Sequence, residues 1–237
     1  MSSPTAEESF WRALWRRSPA RFEASLTVAA RERVSVRLLD ALGLFALGWL
    51  AALLLCLLGG GDAAVTRHLG ALFWVEPQHE RLKALTDGGL YPFYVFFIGL
   101  LVVGWRRRNR LYFEVARLWI AAELLGALLV VRALKMVVGH PRPDAAAEPA
   151  ARLFGLAWDS AYNSFPSGHS ADVFTSAFCL CLLLSQRWQR AYVLGFAALI
   201  GLTRILLAKH WASDVLVGAA IGVVVSALLA ARLLRNP

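Results

Sequence analysis

Apolar residues gather in six long stretches with polar breaks between them: Leu38 to Leu58, Leu90 to Trp105, Leu118 to Val138, Ser170 to Ser185, Ala191 to Leu207 and Trp211 to Ala231. A helix needs about 20 mostly apolar residues to cross the hydrocarbon core of a bilayer. The stretches meet or approach that length, and the arginines that close the short second one, from Arg106 to Arg110, can snorkel to the headgroups. The pattern predicts an all-α, integral membrane bundle of six transmembrane helices. The interruptions need reasons of their own. Asp40 stands near the start of the first stretch, Glu123, Arg132 and Lys135 lie in the third, and Asp172 opens the fourth. Ionisable groups at membrane depth are costly and cluster at functional or paired positions.

Composition agrees with this reading. Hydrophobic residues make up 58% of the 237 and charged residues only 17%, with a mean hydropathy of +0.55. A soluble domain carries fewer apolar residues and more charge, and a disordered chain far more charge. The formal net charge of +9 could signal nucleic acid, but the basic residues alternate with span boundaries and form no single stripe, so no nucleic-acid partner is expected. Their distribution sets an orientation instead. With both termini cytoplasmic, seven Lys and Arg fall in the N-terminal arm, five around the second loop, two in the fourth loop and two in the tail. The remaining nine of the 25 fall on the other side. Excess Lys and Arg mark the cytoplasmic side. The chain therefore divides into a cytoplasmic arm, residues 1–37, and a six-helix membrane domain, residues 38–237. The first apolar run begins too late and runs too long for a secretory leader. Within the arm, Phe10, Trp11, Leu14 and Trp15 share one helical face beside Arg12, Arg16 and Arg17, the pattern of a helix lying in the inner interface. In the first outer loop, residues 59–89, Phe73 and Trp74 suit headgroup level. Cys56, Cys179 and Cys181 sit in apolar stretches, with no metal-ligand spacing.

Three polar clusters fall at the same, extracytoplasmic edge of this topology. Lys135 to Pro143 closes the third helix, Phe165 to Ser170 opens the fourth, and Thr203 to Asp214 bridges the fifth and sixth. Lys135, Arg142 and Arg204 bring three cations to one face. Ser167 and Gly168 stand where a helix N-terminus would offer N–H groups to an anion. Arg supplies a planar fork for two phosphate oxygens, Lys a point charge. His210 and Asp214, four apart, share a helical face, so the carboxylate can hold one imidazole nitrogen and turn the other outward as a nucleophile. Arg204 and His210 are six apart and do not share a face. A break near Ala208 is expected to bring both to one site. His169 is placed to protonate a leaving alkoxide. His140 is expected to be a bystander. A zinc site is disfavoured because Lys and Arg neighbours repel a dication, so neither a metal nor a cofactor is expected.

These clusters resemble the type 2 phosphatidic acid phosphatase family, whose signature is Lys-x6-Arg-Pro, then Pro-Ser-Gly-His, then Ser-Arg-x5-His-x3-Asp. The chain carries Lys135 with Arg142-Pro143, then Pro166-Ser167-Gly168-His169, then Arg204, His210 and Asp214 at those spacings; Thr203 replaces the usual Ser. The resemblance implies that His210 attacks phosphorus and forms a phosphohistidine, that Asp214 orients it, and that His169 protonates the leaving group and then activates water. It implies that Lys135, Arg142, Ser167, Gly168 and Arg204 hold the phosphate, without metal. The substrate is then a lipid phosphate or diphosphate in the cell membrane, of a class that includes phosphatidic acid, phosphatidylglycerophosphate, undecaprenyl diphosphate and lipid A phosphates. A lipid phosphotransferase using the same intermediate and a non-catalytic lipid-phosphate binding or transport protein remain as alternatives. The soluble vanadate haloperoxidases share the signature but not the six spans. Two acids lie outside it. Asp172 is expected to pair with Arg132 or Lys135, and Glu123 to make an interhelical hydrogen bond.

Overall fold

The computed structural model describes residues 26–72, 78–144, 153–154 and 160–235. The expected interfacial helix at residues 9–17 and the expected headgroup contacts of Phe73 and Trp74 lie outside these residues. The described chain is helical almost throughout. In order it forms α1 (Val28–Leu58), α2 (Asp62–Leu72), α3 (Gln78–Gly88), α4 (Tyr91–Arg106) and α5 (Arg110–Ala122). A wide-turned π segment (Glu123–Val130) joins α5 to α6 (Val131–Val137), so one helical rod runs through the third apolar stretch. Then come α7 (Gly168–Cys181), α8 (Arg187–Leu206) and α9 (Ala212–Arg235). The all-α expectation holds apart from a two-residue ribbon, β1 (Val138–Gly139) against β2 (Leu153–Phe154).

Two expectations about element boundaries change. First, α1 begins ten residues before Leu38, capped by the Thr27 hydroxyl, which accepts from the Ala30 N–H. Val34, Leu38 and Ala41 are buried at helical spacing, so the packing stripe continues past the apolar stretch. Second, the first outer loop holds α2 and α3. Their charged turns hide them from a search for apolar runs.

Among the described residues three helical segments are long and apolar enough to cross a membrane: Val28–Leu58, His79–Arg106 and Ala212–Leu234. On the bundle surface Leu47, Leu54, Val95, Ile98, Leu129, Leu199 and Leu228 are exposed. Large apolar side chains exposed on several helices suit lipid as solvent. Inside, Phe97 stacks on Trp119 with ring centroids 4.8 Å apart.

The helices α7 and α9 pack tightly because Gly218 and Gly222 face α7. A Cβ at Gly218 would lie 2.3 Å from the Ser167 carbonyl oxygen, and one at Gly222 2.3 Å from that of Ala171. Small residues four apart let backbones approach in this way. The contact presses the N-terminus of α7 against the first turns of α9, which places the second and third clusters side by side.

The acids in the apolar stretches have partners. Asp40 receives the Arg190 Nε–H at 2.6 Å and lies 3.2 Å from Arg187 Nε, while Arg37 donates to the Leu182 and Leu183 carbonyls, both at 3.0 Å. This ionic cluster ties α1 to the C-terminus of α7 and the N-terminus of α8. Glu123 accepts from the Ser176 hydroxyl at 3.1 Å, the expected interhelical bond, and Ser176 in turn accepts from Trp119 Nε1 at 2.8 Å. The expected pairing of Asp172 with Arg132 or Lys135 is incorrect. The Tyr94 hydroxyl donates to Asp172, which also hydrogen-bonds Glu123. One helical turn beyond His169, Asp172 faces α4 and the π segment, while Arg132 lies exposed.

Candidate active site

All three clusters meet at the end of the bundle opposite the Asp40 ionic cluster. Four elements converge there: the C-terminus of α6, the N-terminus of α7, the C-terminus of α8 and the N-terminus of α9. The break between α8 and α9 is where the spacing argument placed it. Ala208 has φ +52°, and the Lys209 and His210 N–H groups both return to the Arg204 carbonyl, at 3.1 and 3.2 Å. A left-handed residue at a helix C-terminus reverses the chain in this way, and it brings His210 to the same site as Arg204.

His210 Nδ1 lies 3.7 Å from Asp214 Oδ2 and 3.4 Å from Ser164 Oγ. The Ser164 hydroxyl also donates to Asp214 Oδ2, and the Trp211 N–H donates to the same oxygen at 3.0 Å. Asp214 is fully buried, and its other carboxylate oxygen, Oδ1, lies 3.0 Å from His140 Nδ1. With Nδ1 turned toward this network, Nε2 is the nitrogen left to face a substrate. Burial lowers the His210 pKa to about 4 against the opposing pull of Asp214, so the ring is neutral and its lone pair available at physiological pH.

His140 is therefore no bystander. It is buried between Phe165 and Trp211, and its Nδ1 holds the Asp214 carboxylate that faces His210. Trp211 Nε1 donates to the Pro141 carbonyl at 2.7 Å and pins the loop that carries His140. Hydrogen bonds to charged groups contribute about 1.5–3 kcal/mol. His140→Ala is thus expected to lower kcat about tenfold or more, with His140→Asn recovering part of the loss through its amide donor. A kcat unchanged in His140→Ala would show that Asp214 needs no second clamp.

The cations are placed as the spacing suggests, with different roles within the protein. Lys135 Nζ donates to the Asn163 carbonyl at 2.6 Å and lies 3.4 Å from that of Ser164, so it braces the loop before α7 as well as adding charge. The Nε atoms of Arg142 and Arg204 are buried and have no acceptor among the described residues. Buried donors without partners are costly, and two guanidinium groups that each carry one such Nε–H fit an oxyanion. The Arg142 N–H is held by the Ala161 carbonyl at 2.8 Å. Ser167 caps α7, accepting from the Ser170 N–H at 3.4 Å and the Ser170 hydroxyl at 2.9 Å, which leaves its own hydroxyl proton to donate. Gly168 is the first residue of α7, at the positive end of the helix dipole. Thr203 takes no part in the cluster: its hydroxyl bonds the Thr86 hydroxyl at 2.9 Å and the Ile200 carbonyl at 2.6 Å.

His169 stands just ahead of the fourth apolar stretch, in the first turn of α7. Burial and the Arg204 and Lys135 charges push its pKa down to about 4, and the Asp87 carboxylate opposes them. Asp87, from α3, lies 3.7 Å from His169 Nε2. Sequence spacing missed Asp87 and Ser164. Asp87 lies far from every signature cluster, and Ser164 stands two residues before Pro166 with nothing to distinguish it from a loop serine. Among the described residues no group of three or more His, Cys, Asp or Glu is arranged to hold a metal ion.

The chain is 36% identical over 114 residues to a lipid A 1-phosphatase of Porphyromonas gingivalis, which covers 46% of this chain and 22% of that protein. It is 36% identical over 119 residues to a lipid A 1-phosphatase of Rhizobium johnstonii, 47% of each. The chain thus spans about half the length of the Rhizobium protein and less of the Porphyromonas one. The crystal structure of Aquifex aeolicus LpxE superposes with a TM-score of 0.50 at 25% identity, over 71% of this chain and 93% of that one. The family model of the PAP2 superfamily matches residues 116–236, a little over half of the chain and a stretch that contains all three clusters. The resemblance read from the sequence is upheld: the chain belongs to the PAP2 superfamily.

Proposed function

We propose that this protein is a metal-independent lipid phosphate phosphatase that works through a phosphohistidine on His210 at the extracytoplasmic face of a cell membrane. In this reading six helices span the bilayer and both termini face the cytoplasm, as the Lys and Arg distribution favours. The observation that carries the proposal is the meeting of a neutral, carboxylate-held His210 with two arginines, Arg142 and Arg204, whose buried Nε–H groups have no acceptor among the described residues. A phosphate monoester satisfies those donors, with Lys135, the Ser167 hydroxyl and the Gly168 N–H adding to the cradle. His210 Nε2 then attacks phosphorus while the ester oxygen leaves, taking the proton of His169. His169, now neutral, removes a proton from water. The hydroxide cleaves the phosphorus–nitrogen bond, and phosphate and a neutral His210 are released. The cradle stabilises the charge spread over the equatorial oxygens, the dominant requirement of phosphoryl transfer.

The relatives named as lipid A 1-phosphatases make lipid A phosphate the first substrate to test. The test is phosphate release by the purified protein in detergent, with chelator present, from lipid A phosphate, phosphatidic acid, phosphatidylglycerophosphate and undecaprenyl diphosphate. Release from at least one lipid that is indifferent to chelator supports the reading. Release abolished by chelator would remove the metal-free mechanism. No release from any of the four would favour a binding or transport protein.

The pH profile follows from the two histidines. His210 must be neutral, so kcat/KM falls as pH drops through about 4. His169 is neutral in the free site at pH 7, so its proton arrives most readily with the substrate monoanion. The second phosphate ionisation lies near pH 6, and kcat/KM should decline above it. The expected profile is a bell with its maximum between these values. A flat profile would contradict the paired roles.

A further inference from the structure

The described chain places one carboxylate beside the histidine expected to act as general acid, and the signature does not include it. Asp87 Oδ1 lies 3.7 Å from His169 Nε2. Asp87 is held in place from both sides. The preceding residue, Thr86, is fully buried, with its hydroxyl bonded to Thr203, the neighbour of Arg204. On the other side Gly89 packs so closely on α8 that a Cβ there would lie 2.5 Å from the Ile200 side chain. The end of α3 is thus locked onto the turn of α8 just below the arginine, and Asp87 stands between the cation cluster and solvent.

The charges around His169 make such a carboxylate useful. Lys135 from α6 and Arg204 from α8 both disfavour the imidazolium, as does burial; Asp87 from α3 is the one opposing charge among those that act on the ring. An imidazolium spreads its charge over both nitrogens, so a carboxylate at one supports a proton on either. Without it, the field that binds phosphate would disfavour still further the imidazolium that must form once a proton arrives with the substrate.

We propose that Asp87 is a positioning residue for His169, holding the imidazolium form of the general acid in place against the field of Lys135 and Arg204. The proposal rests on the phosphatase reading. It also explains why α3 packs on α8 through a buried threonine pair: the contact fixes a charge at the mouth of the site.

A leaving-group comparison separates this role from a structural one. An alkyl phosphate leaves as a strongly basic alkoxide and needs the acid's proton; p-nitrophenyl phosphate leaves as a stable anion and needs it little. Asp87→Asn, nearly isosteric, is expected to lose about tenfold in kcat on phosphatidic acid, a part of the roughly 10²- to 10⁴-fold that general acid catalysis contributes. On p-nitrophenyl phosphate the loss is expected to stay within about threefold. Asp87→Glu should recover most of the activity on the lipid, and vanadate affinity should hold in both variants. Equal losses on both substrates, or no loss on the lipid, would overturn the proposal while leaving the phosphatase reading intact. A wild type that releases phosphate from neither p-nitrophenyl phosphate nor any of the four lipids would overturn that reading and this inference with it.

Discussion

Replacing His210 with alanine is expected to lower kcat for phosphate release by about 10⁴-fold or more, with KM changed by no more than about threefold. Loss of a covalent nucleophile removes the whole first displacement, and enzymes of this type retain only what binding and charge stabilisation supply without it. A factor of 10⁴ is about 5.4 kcal/mol of barrier. The groups proposed to hold phosphate are carried by other segments: Arg204 on α8, Ser167 and Gly168 at the head of α7, Lys135 near the end of α6 and Arg142 in the loop beyond it. Substrate binding should therefore survive. His210 is buried, with Ser164 and Asp214 against Nδ1, so some stability will be lost with it. Vanadate binding retained in the variant separates a dead nucleophile from a collapsed site. A variant with a tenth or more of wild-type turnover would rule out His210 as the attacking group.

Arg204→Ala carries the second large effect. The guanidinium is buried, and its Nε has no acceptor among the described residues. Charge developing on the equatorial oxygens in the transition state would be met by this fixed, desolvated group. Removing one such donor from a preorganised site costs about 10²- to 10³-fold in kcat. Vanadate affinity should fall as well, because the anion loses a charged fork. Arg204→Lys should recover little, since a point charge cannot reproduce two parallel N–H bonds. The backbone carbonyl of Arg204, which receives the Lys209 and His210 N–H groups, is untouched by either change, so the turn that presents His210 should persist. Full recovery in Arg204→Lys would mean that the site needs charge there and not geometry.

The parts of the site that were legible in the sequence are those fixed by local geometry. Asp214 one turn after His210, the cap and glycine at the head of α7, and the need for a break between Arg204 and His210 all follow from helix periodicity and capping. Ala208 supplies that break at the residue where the spacing demanded it. The partners that escaped notice meet only through tertiary contacts. His140, Ser164 and Asp87 come from a loop, a pre-helix turn and a separate helix, and no periodicity links them to His210 or His169. The same reason explains the error at Asp172. Its sequence distance from Lys135 and Arg132 said nothing about which face of α7 would meet α4, and Tyr94 on α4 claimed it. Among the helices, the apolar stretches located the cores of α1, α4 and α9, while α2 and α3, amphiphilic and short, left no apolar run to read.

Trapping the covalent intermediate on His210 is the decisive experiment for the proposed mechanism. The protein would be mixed with a phosphate monoester substrate, quenched within a turnover in alkaline denaturant, which preserves phosphohistidine, and digested for mass spectrometry. A phosphoryl group is expected on the His210 side chain in the wild type. More of it is expected in His169→Ala supplied with p-nitrophenyl phosphate, where the first displacement proceeds and the second lacks its base. Steady turnover with no phosphoryl group on His210 under either condition would rule out the phosphohistidine and point to direct attack by water.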